Sequence, residues 1–282
     1  MTGRNDKSIR SSKERERGQA AINQSLFSKE RSWGEAVGRY TKRMVASDKA
    51  MTDTARSPDD VWVVVPAYNE AERLPATLGR LRSRFSRVVV VDDGSADATA
   101  RSALNCPGTW VLRHAFNLGQ GAALQTGIDF ALARGARFIA TFDADGQHDV
   151  EDLPALLEPL VAGRADVVLG SRFLGRTVGM PWTRRLLLKA AVLFTRLFSR
   201  VRVTDAHNGL RAFSRRGAEQ IRINLNGMAH ASEIIDQIRR RGLTYCEVPV
   251  TIRYSAAVLT KGQSGWNSLR IVANLTLARI LR

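Results

Sequence analysis

The sequence predicts an α/β protein with a mostly parallel sheet flanked by helices, followed by C-terminal amphipathic helices. Continuous runs of β-branched residues recur between positions 61 and 170, and stretches of helical length separate them. Each of these runs ends in a short segment rich in Asp, Asn, Gly, Ser or Pro. Basic residues at amphipathic spacing then dominate residues 180–282. In sheets of this kind the ligand lies at the carboxyl ends of the strands, where the polar segments converge.

The elements follow in alternating order. The predicted strands are Val61–Val65, Val88–Val91, Trp110–Leu112, the run 137–142 and Asp166–Gly170. Helices are predicted from about Glu70 to Arg84, from the Asn117–Gly121 segment to about Arg134, and around Pro154, which is tolerated early in a helix. Further along, Glu233 is expected on a helix, and Cys246–Tyr254 is expected to form a strand that emerges towards the same edge of the sheet.

Composition divides the chain into three parts. Residues 1–59 are rich in Ser, Lys, Arg and Glu, which predicts a basic, mostly disordered tail. Residues 60–265 are expected to form the folded domain, including an amphipathic helix at about 181–200, and residues 266–282 a C-terminal amphipathic helix. No signal-peptide pattern is seen, and no run of about 18 uninterrupted apolar residues predicts a transmembrane helix.

The positive charge is concentrated in the last third of the chain. The formal net charge is +16, and residues 180–282 hold 18 Lys and Arg against 5 Asp and Glu. Such a region is expected to meet phosphates, an anionic membrane surface or nucleic acid. Cys106 and Cys246 lack any motif spacing, so we expect two free thiols in a reducing compartment.

The most informative stretch is Asp143-Ala-Asp-Gly-Gln-His148, directly after a predicted buried strand. Two carboxylates one residue apart can hold a hard cation such as Mg²⁺, which is also shared with substrate phosphates. A solvated turn is the alternative interpretation of these acids by themselves. The segments Pro66–Glu70, Asp92–Ser95 and Ser171-Arg172 reach the same edge, and this convergence favours a ligand site.

Other common sites are not indicated. The sequence has no Walker-type phosphate loop, and the Gly119–Gly121 pair lacks the third glycine of a dinucleotide fingerprint and follows the third strand rather than the first. No Ser-His-acid or Cys-His arrangement is evident. The histidines are scattered and are interpreted as ordinary polar residues, except the one beside the acids; they are His114, His148, His207 and His230.

Five segments carry a resemblance to a known family. They are Val64–Glu70, Val91–Ser95, Asn117–Gly121, Asp143–His148 and Gly170–Arg172. In this unbroken order they resemble family-2 glycosyltransferases with the GT-A fold, a Rossmann-like α/β sheet. The branch to which they are most similar is the dolichyl-phosphate mannose synthase and polyprenyl-phosphate glycosyltransferase group. The similarity spans about residues 61–265 and leaves the N-terminal tail outside.

The resemblance implies a role for each matching position. The nucleotide-binding residues would be Pro66, Tyr68, Glu70, Asp92, Asp93 and Gly121. The residues holding Mg²⁺ or Mn²⁺ would be Asp143, Asp145 and Gln147, and the catalytic residues Asp145 and Arg172. The residues facing an acceptor phosphate would be Arg172, Arg211, Arg253 and Lys261. A metal ion neutralises the leaving diphosphate, and an acceptor that is already an anion needs no strong general base.

The basic third adds two features. On the predicted helix at 181–200 the basic side chains fall on one narrow side beside a Leu/Phe face; they are Arg185, Lys189, Arg196 and Arg200. This pattern is typical of a helix lying in a membrane interface, and a core helix with a solvated basic face is the alternative. Asp205–Phe213 resembles the family segment Asp-x-x-(Asn/Ser)-Gly-Phe-Arg beside the acceptor, with Leu210 in place of the usual aromatic residue.

The sequence therefore predicts an inverting, metal-dependent glycosyltransferase that moves a sugar from a UDP- or GDP-sugar to polyprenyl phosphate. It would be peripheral to the cytoplasmic face of the membrane, attached directly or through a membrane-protein partner. One alternative is transfer to a glycan hydroxyl with Glu233 as the base. A nucleotidyltransferase is a second alternative, but it would need a basic glycine-rich loop after the first strand. The segment Pro66–Glu70 occupies that position and disfavours this alternative. A basic membrane- or nucleic-acid-binding module would leave the acidic edge unexplained, so no nucleic-acid partner is expected.

Overall fold

The structure is a computed structural model that describes residues 60–199, 201–227 and 229–254. The strands in this part of the chain are β1 Val61–Ala67, β2 Arg87–Asp92, β3 Thr109–Arg113, β4 Phe138–Thr141, β5 Val167–Val178, β6 Arg211–Ser214 and β7 Tyr245–Arg253. The helices are α1 Leu74–Arg82, α2 Thr99–Leu104, α3 Gln120–Ala133, α4 Leu153–Val161, α5 Trp182–Ser199, α6 Arg215–Gln220 and α7 His230–Arg240. A 3₁₀ turn at Val150–Asp152 precedes α4.

All seven described strands form one sheet in the order β3-β2-β1-β4-β6-β5-β7. β1 pairs in parallel with β2 and β4, β2 with β3, and β5 with β7. β6 is antiparallel to both of its neighbours, β4 and β5. The predicted class, a mostly parallel α/β sheet, is confirmed.

Both faces of the sheet are covered by helices, which explains why the strands are continuously apolar. On one face, Val63 and Val65 of β1 belong to a core layer that includes Leu78 of α1 and Leu156 of α4. On the other face, Trp62 and Val64 of β1 belong to a layer with α3 and α7, whose buried side chains are Ile128, Ile234, Ile235 and Ile238. The strand ends are thereby held at fixed positions along one edge.

The structure corrects the boundaries of two predicted elements. α1 begins at Leu74 rather than at Glu70, because Glu70 donates its backbone N–H to Thr99 Oγ1 and starts a turn. β5 does not end at Gly170 but runs to Val178, pairing with β7 through a register shift between Ser171 and Arg176. The antiparallel strand β6 is not among the predicted elements.

The amphipathic helix predicted at about 181–200 is α5, Trp182–Ser199. It exposes the apolar side chains of Trp182, Leu186 and Leu187. None of the described helices combines the length and apolarity that crossing a bilayer requires. Both cysteines are free thiols. The predicted tail at 1–59, the C-terminal helix at 266–282 and the side chains of Arg196 and Arg200 lie outside the described residues.

Candidate active site

A cleft of about 370 Å³ opens at the carboxyl ends of β1, β2 and β4. Its walls come from the end of β1 and the residues after it, the residue after β2, the segment that leads into α3, and the segment after β4. The lining residues are Pro66, Ala67, Tyr68, Glu70, Asp93, Asn117, Gln120, Ala123, Asp143, Ala144 and Asp145. The structure thus gathers at one edge most of the residues predicted for the nucleotide and metal. Asn117 and Gln120 lie in a segment that the sequence singled out, but neither was assigned a role.

The two neighbouring acids after β2 have different surroundings. Asp92 is fully buried, accepts the backbone N–H of Ser95 and forms an ion pair with Arg113 at 3.1 Å. Asp93 reaches the cleft and accepts the backbone N–H groups of Leu118 and Gly119 at 2.9 and 2.7 Å. Asp93 therefore fixes the loop that brings Asn117 and Gln120 to the cleft, whereas Asp92 stabilises the turn behind it.

Gly121 does not line the cleft, although it was predicted to contact the nucleotide. Its backbone N–H donates to the carbonyl of Asn226 at 2.8 Å, and an added Cβ would lie 2.1 Å from the carbonyl oxygen of Leu225. The close approach of the 224–227 loop explains the need for glycine at this position. The adjacent Gln120 is the residue that faces the site.

Asp143 lies in the cleft between two hydrogen-bonding side chains. Its carboxylate accepts hydrogen bonds from Gln120 Nε2 at 3.0 Å and, with the ring nitrogen donating, from His148 Nε2 at 2.9 Å. Burial alone would raise the pKa of Asp143, but His148 and the nearby Arg211 bring the pKa below its ordinary value. Gly209 packs directly against this carboxylate, since an added Cβ would lie 2.1 Å from Oδ2.

Asp145 shares the cleft with Asp143, and the negative charge of Asp143 disfavours the ionised form of Asp145. It accepts the backbone N–H of Gln147 at 3.0 Å and also the Gln147 side-chain amide. Burial and the charge of Asp143 nevertheless raise the pKa of Asp145 above its ordinary value. Two crowded carboxylates suit a divalent cation whose other ligands are phosphate oxygens and water. No group of three His, Cys, Asp or Glu side chains suited to a metal occurs among the described residues.

Arg172 lies in a buried network rather than at an open surface. Its guanidinium forms an ion pair with Asp205 and donates to Tyr254 Oη at 2.8 Å and to the carbonyl of His207 at 3.0 Å. Burial alone would lower its pKa, but Asp205 and Tyr254 raise the pKa of Arg172 above its ordinary value. The side chain is 8% exposed. Its contact with an acceptor phosphate therefore stays a prediction.

Arg211 is buried nearby without such a network. It is the first residue of β6, opposite Thr141 in the register, and is 2% exposed. Its Nη1 has no hydrogen-bond partner, and no described residue forms an ion pair with it. Burial lowers the pKa of Arg211 to about 10, although Asp143 and Asp205 favour the charged form.

Arg253, the last residue of β7, meets the segment that carries the acids. Its backbone N–H donates to the carbonyl of Gln147 at 3.0 Å, and its guanidinium pairs with Asp149 at 3.1 Å. An isolated antiparallel bridge joins His148 to Ile252 beside it. In this structure Arg253 thus supports the acidic segment. Lys261, predicted to face the same phosphate, lies outside the described residues.

Histidines gather around the acids although they are far apart in the sequence. His148 bonds Asp143. The half-buried His207 and the buried His230 both lie close enough to Arg211 for its charge to affect them. Burial, with Arg211 contributing, lowers the pKa of both His207 and His230 to about 4. Sequence reasoning missed this cluster, because only the tertiary fold joins the segments that carry it.

Glu233, the base considered for a hydroxyl acceptor, has a structural task in α7. Its carboxylate accepts the backbone N–H groups of Asn224 and Leu225, at 3.0 and 2.9 Å, and the side-chain amide of Asn224. These bonds hold the loop that packs over the start of α3. The carboxylate does not line the described cleft.

This arrangement can be compared with known proteins. The profile described as glycosyl transferase family 2 matches residues 62–222, which include β1 to β6 and the whole cleft. The chain belongs to glycosyl transferase family 2. Its fold is that of the GT-A glycosyltransferases, and the chain is a glycosyltransferase.

Family relatives of known and unknown activity match over most of their length. The polyprenol monophosphomannose synthase of Mycolicibacterium smegmatis is 35% identical over 210 residues, which covers 70% of this chain and 79% of the relative. The undecaprenyl-phosphate mannosyltransferase of Micrococcus luteus is 36% identical over 202 residues, covering 68% and 82%. An uncharacterized protein of Methanocaldococcus jannaschii is 35% identical over 227 residues, covering 79% and 93%.

Solved structures of other proteins share the fold. Glucosyl-3-phosphoglycerate synthase from Mycobacterium tuberculosis, in complex with Mn²⁺, UDP-glucose and phosphoglyceric acid, superposes with a TM-score of 0.59 at 19% identity. The match covers 76% of this chain and 78% of that one. At this level of identity the likeness concerns the arrangement of the sheet and its helices.

Proposed function

We propose that this glycosyltransferase moves a sugar from a UDP- or GDP-sugar to a polyprenyl phosphate, with inversion, at the cytoplasmic face of the membrane. The observation that carries the proposal is the pairing of an acid-lined cleft with buried arginines behind it. Asp143 and Asp145 face the cleft. Arg172 forms an ion pair with Asp205, and Arg211 lies close enough to Asp143 and Asp205 for their charges to affect it. A diphosphate donor and a phosphate acceptor require these two kinds of surroundings side by side.

The donor would lie along the cleft between the residues after β1 and the start of α3. Pro66, Tyr68 and Glu70 line one wall, and Tyr68 keeps an exposed ring that a nucleoside can cover. Asp93 holds the opposite loop in place. Asp92 would act behind this wall by fixing the turn, and Gly121 by admitting the 224–227 loop.

Asp143 and Asp145, together with Gln147, are the residues that would hold Mg²⁺ or Mn²⁺. The two carboxylates would carry the charge that the cation neutralises. Mutual repulsion of their charges is visible in the raised pKa of Asp145, whose larger cause is burial, and a bound cation would relieve it. Such a cation supplies charge neutralisation for the departing diphosphate. Gln147 would orient the Asp145 carboxylate through its two hydrogen bonds, and His148 would orient Asp143.

The acceptor phosphate is assigned to the basic side of the site. Arg172, Arg211, Arg253 and Lys261 remain the proposed set. The names of two relatives, a polyprenol monophosphomannose synthase and an undecaprenyl-phosphate mannosyltransferase, support a lipid-phosphate acceptor. A phosphate oxygen can attack the anomeric carbon without losing a proton first. The engagement of Glu233 with Asn224 and Leu225 also argues against a hydroxyl acceptor that would need this base.

Membrane contact is assigned to α5. The helix exposes Trp182 at 76% and Leu186 at 63%, with Arg185 and Lys189 exposed beside them. Exposed aromatic and aliphatic side chains next to basic ones suit an anionic bilayer surface. A peripheral position of this kind would bring the cleft to the acceptor lipid.

The decisive experiment is a screen of UDP- and GDP-sugars with undecaprenyl or dolichyl phosphate, with Mg²⁺ or Mn²⁺, measuring glycolipid formation by mass spectrometry. A glycosyl phospholipid whose formation stops with EDTA is expected. Transfer only to neutral glycan acceptors would contradict the polyprenyl-phosphate acceptor. Full transfer in the presence of EDTA would contradict the dependence on a divalent cation.

A further inference from the structure

The cleft wall that follows β1 is held from behind by the loop that follows β2. Three successive backbone N–H groups, those of residues 69–71, donate to side chains within residues 95–99. The bonds run from Asn69 to Ser95 Oγ at 2.9 Å, from Glu70 to Thr99 Oγ1 at 2.9 Å and from Ala71 to Asp97 Oδ2 at 3.2 Å. The three accepting side chains are not among the residues that line the described cleft. They can therefore act on a ligand only through the wall that they hold.

The backbone of Asn69 shows how closely this wall is fixed. Asn69 has a φ of 54° and is the one non-glycine residue with a positive φ in the described part of the chain. Asn tolerates this conformation better than most residues, but the conformation still needs support from its surroundings. The Asn69 side-chain Oδ1 accepts the backbone N–H of Ala96 at 3.0 Å, so one bond also runs in the opposite direction. Both the main chain and the side chain of Asn69 are thus tied to the loop after β2.

Thr99 is the buried centre of this connection. It is the first residue of α2, and its hydroxyl accepts the Glu70 N–H and donates to the carboxylate of Asp97. The same carboxylate accepts the backbone N–H of Thr99 at 2.9 Å. Glu70 lines the cleft, and Arg73 pairs with the Glu70 carboxylate at 3.1 Å. Glu70 is therefore fixed at its backbone by Thr99 and at its carboxylate by Arg73.

We propose that Thr99 is a positioning residue for nucleoside recognition, which holds Glu70 and the neighbouring Tyr68 where the nucleoside of the donor binds. This inference rests on the proposed function for the nature of the ligand, and it adds a residue that does not touch that ligand. A carboxylate can accept hydrogen bonds from ribose hydroxyls or base N–H groups, and an exposed aromatic ring can stack on a base. The diphosphate is assigned to the acids after β4, so Thr99 should affect binding of the nucleoside and leave binding of the diphosphate unchanged.

The first test measures the affinity of Thr99→Val for UDP and for GDP, each with Mg²⁺, by calorimetry. Valine keeps the shape of threonine and removes the hydroxyl, so the Glu70 N–H loses its acceptor. Affinity for the nucleotide that the wild type binds should fall by about 3- to 10-fold, the effect of one lost hydrogen bond. Thr99→Ser should restore most of it. Affinity for pyrophosphate with Mg²⁺, which lacks a nucleoside, should not change.

Thr244→Val is the matched control. The Thr244 hydroxyl has the same two kinds of partner, since it accepts the backbone N–H of Asp166 at 3.1 Å and donates to the Asp166 carboxylate at 2.7 Å. This pair precedes β5 and β7, at the edge of the sheet opposite the cleft. Both variants should have a lower thermal midpoint, but only Thr99→Val should lose nucleotide affinity. Unchanged nucleotide affinity in Thr99→Val, or equal losses in Thr244→Val or for pyrophosphate, would overturn the inference.

The inference and the proposed function can fail separately, because binding is measured without transfer. A wild-type protein that binds UDP or GDP but forms no glycolipid, while Thr99→Val loses nucleotide affinity, would contradict the acceptor and support the role of Thr99. If glycolipid forms, Thr99→Val should raise the KM for the nucleotide sugar and leave kcat at saturating donor unchanged. An unchanged KM would support the function and contradict the role of Thr99. A wild-type protein that binds neither nucleotide would overturn both.

Discussion

At the scale of single residues, the hydrogen bonds that Asp145 accepts from described residues all come from Gln147, in its own segment. We expect Asp145→Asn to lower transfer by at least about 100-fold, since a lost contact with developing charge is worth roughly 3 kcal/mol or more. Stabilisation by nucleotide with Mg²⁺ should fall too. Asp129→Asn, at an exposed ion pair with Arg222, is the control and should leave both unchanged. Full activity of Asp145→Asn in EDTA would contradict the metal site.

Gly209 packs against the Asp143 carboxylate so closely that no side chain fits between them. A methyl group in Gly209→Ala would lie 2.1 Å from Oδ2, so the acid has to shift. A misplacement of about 1 Å can cost on the order of 100-fold in rate, and we expect a loss of that size in kcat. Gly79→Ala, in α1 with nothing within 4 Å, is the control and should stabilise by roughly 0.5–1 kcal/mol. Normal kcat in Gly209→Ala would show that the contact is unimportant.

Residues near the site differ in how well the sequence predicted them. Asp143 and Asp145 could be predicted, because two acids after an apolar run are a local signal. Asp205 and Gly209 could be placed near the acceptor only by resemblance. Their contacts with Arg172 and Asp143 join positions more than 30 residues apart, and only the folded sheet brings these together.

At the scale of elements, α5 presents a basic and apolar surface that the rest of the described domain leaves open. Reversing Arg185 and Lys189 to Glu should weaken binding to anionic vesicles by about 1 kcal/mol for each charge removed, or more. Raising the salt concentration should weaken wild-type binding in the same direction. Arg241→Glu, exposed at the end of α7, is the control for net charge. If neither salt nor the charge reversals at Arg185 and Lys189 change the affinity for anionic vesicles, α5 is not the membrane contact.

The first four strands were predicted because each is a compact apolar run. The later part of the sheet was harder for physical reasons. β5 continues past Gly170 through Arg172 and Arg176, where partly exposed and charged residues hide the strand pattern. β6 has only four residues, and its first is the buried Arg211. β6 is stabilised by its pairing with β4 and β5, which its own four residues do not indicate.

At the scale of the whole molecule, two histidines with lowered pKa values, the half-buried His207 and the buried His230, link stability to pH. His207 and His230 have pKa values of about 4 in the folded state, and the unfolded chain protonates them near 6.5. The unfolded state therefore binds more protons between pH 6.5 and 4, and stability should fall as the pH decreases through this window. The loss is at most roughly 3 kcal/mol for each histidine.

Chemical denaturation at several pH values would measure this dependence. His207→Gln should flatten the slope between pH 6.5 and 4, since one of the two titrating groups is gone. His114→Gln is the comparison, because His114 bonds Asp93 and Thr126 outside the buried cluster. An equal slope in wild type and His207→Gln would contradict the assignment of this pH dependence to His207.

The antiparallel strand β6 also has a consequence for how such enzymes diversify. It lies between β4, which is followed by the acids of the cleft, and β5, which contains Arg172. Under the proposed function, β6 would therefore divide the sheet into a part that binds the nucleotide and a part that binds the acceptor. We expect a chimera in which residues 167–254 come from a relative with another acceptor to keep the donor preference of this protein. It should transfer the sugar to the acceptor of that relative. Family members could in this way acquire new acceptors without changes in β1 to β4, which carry the proposed nucleotide site.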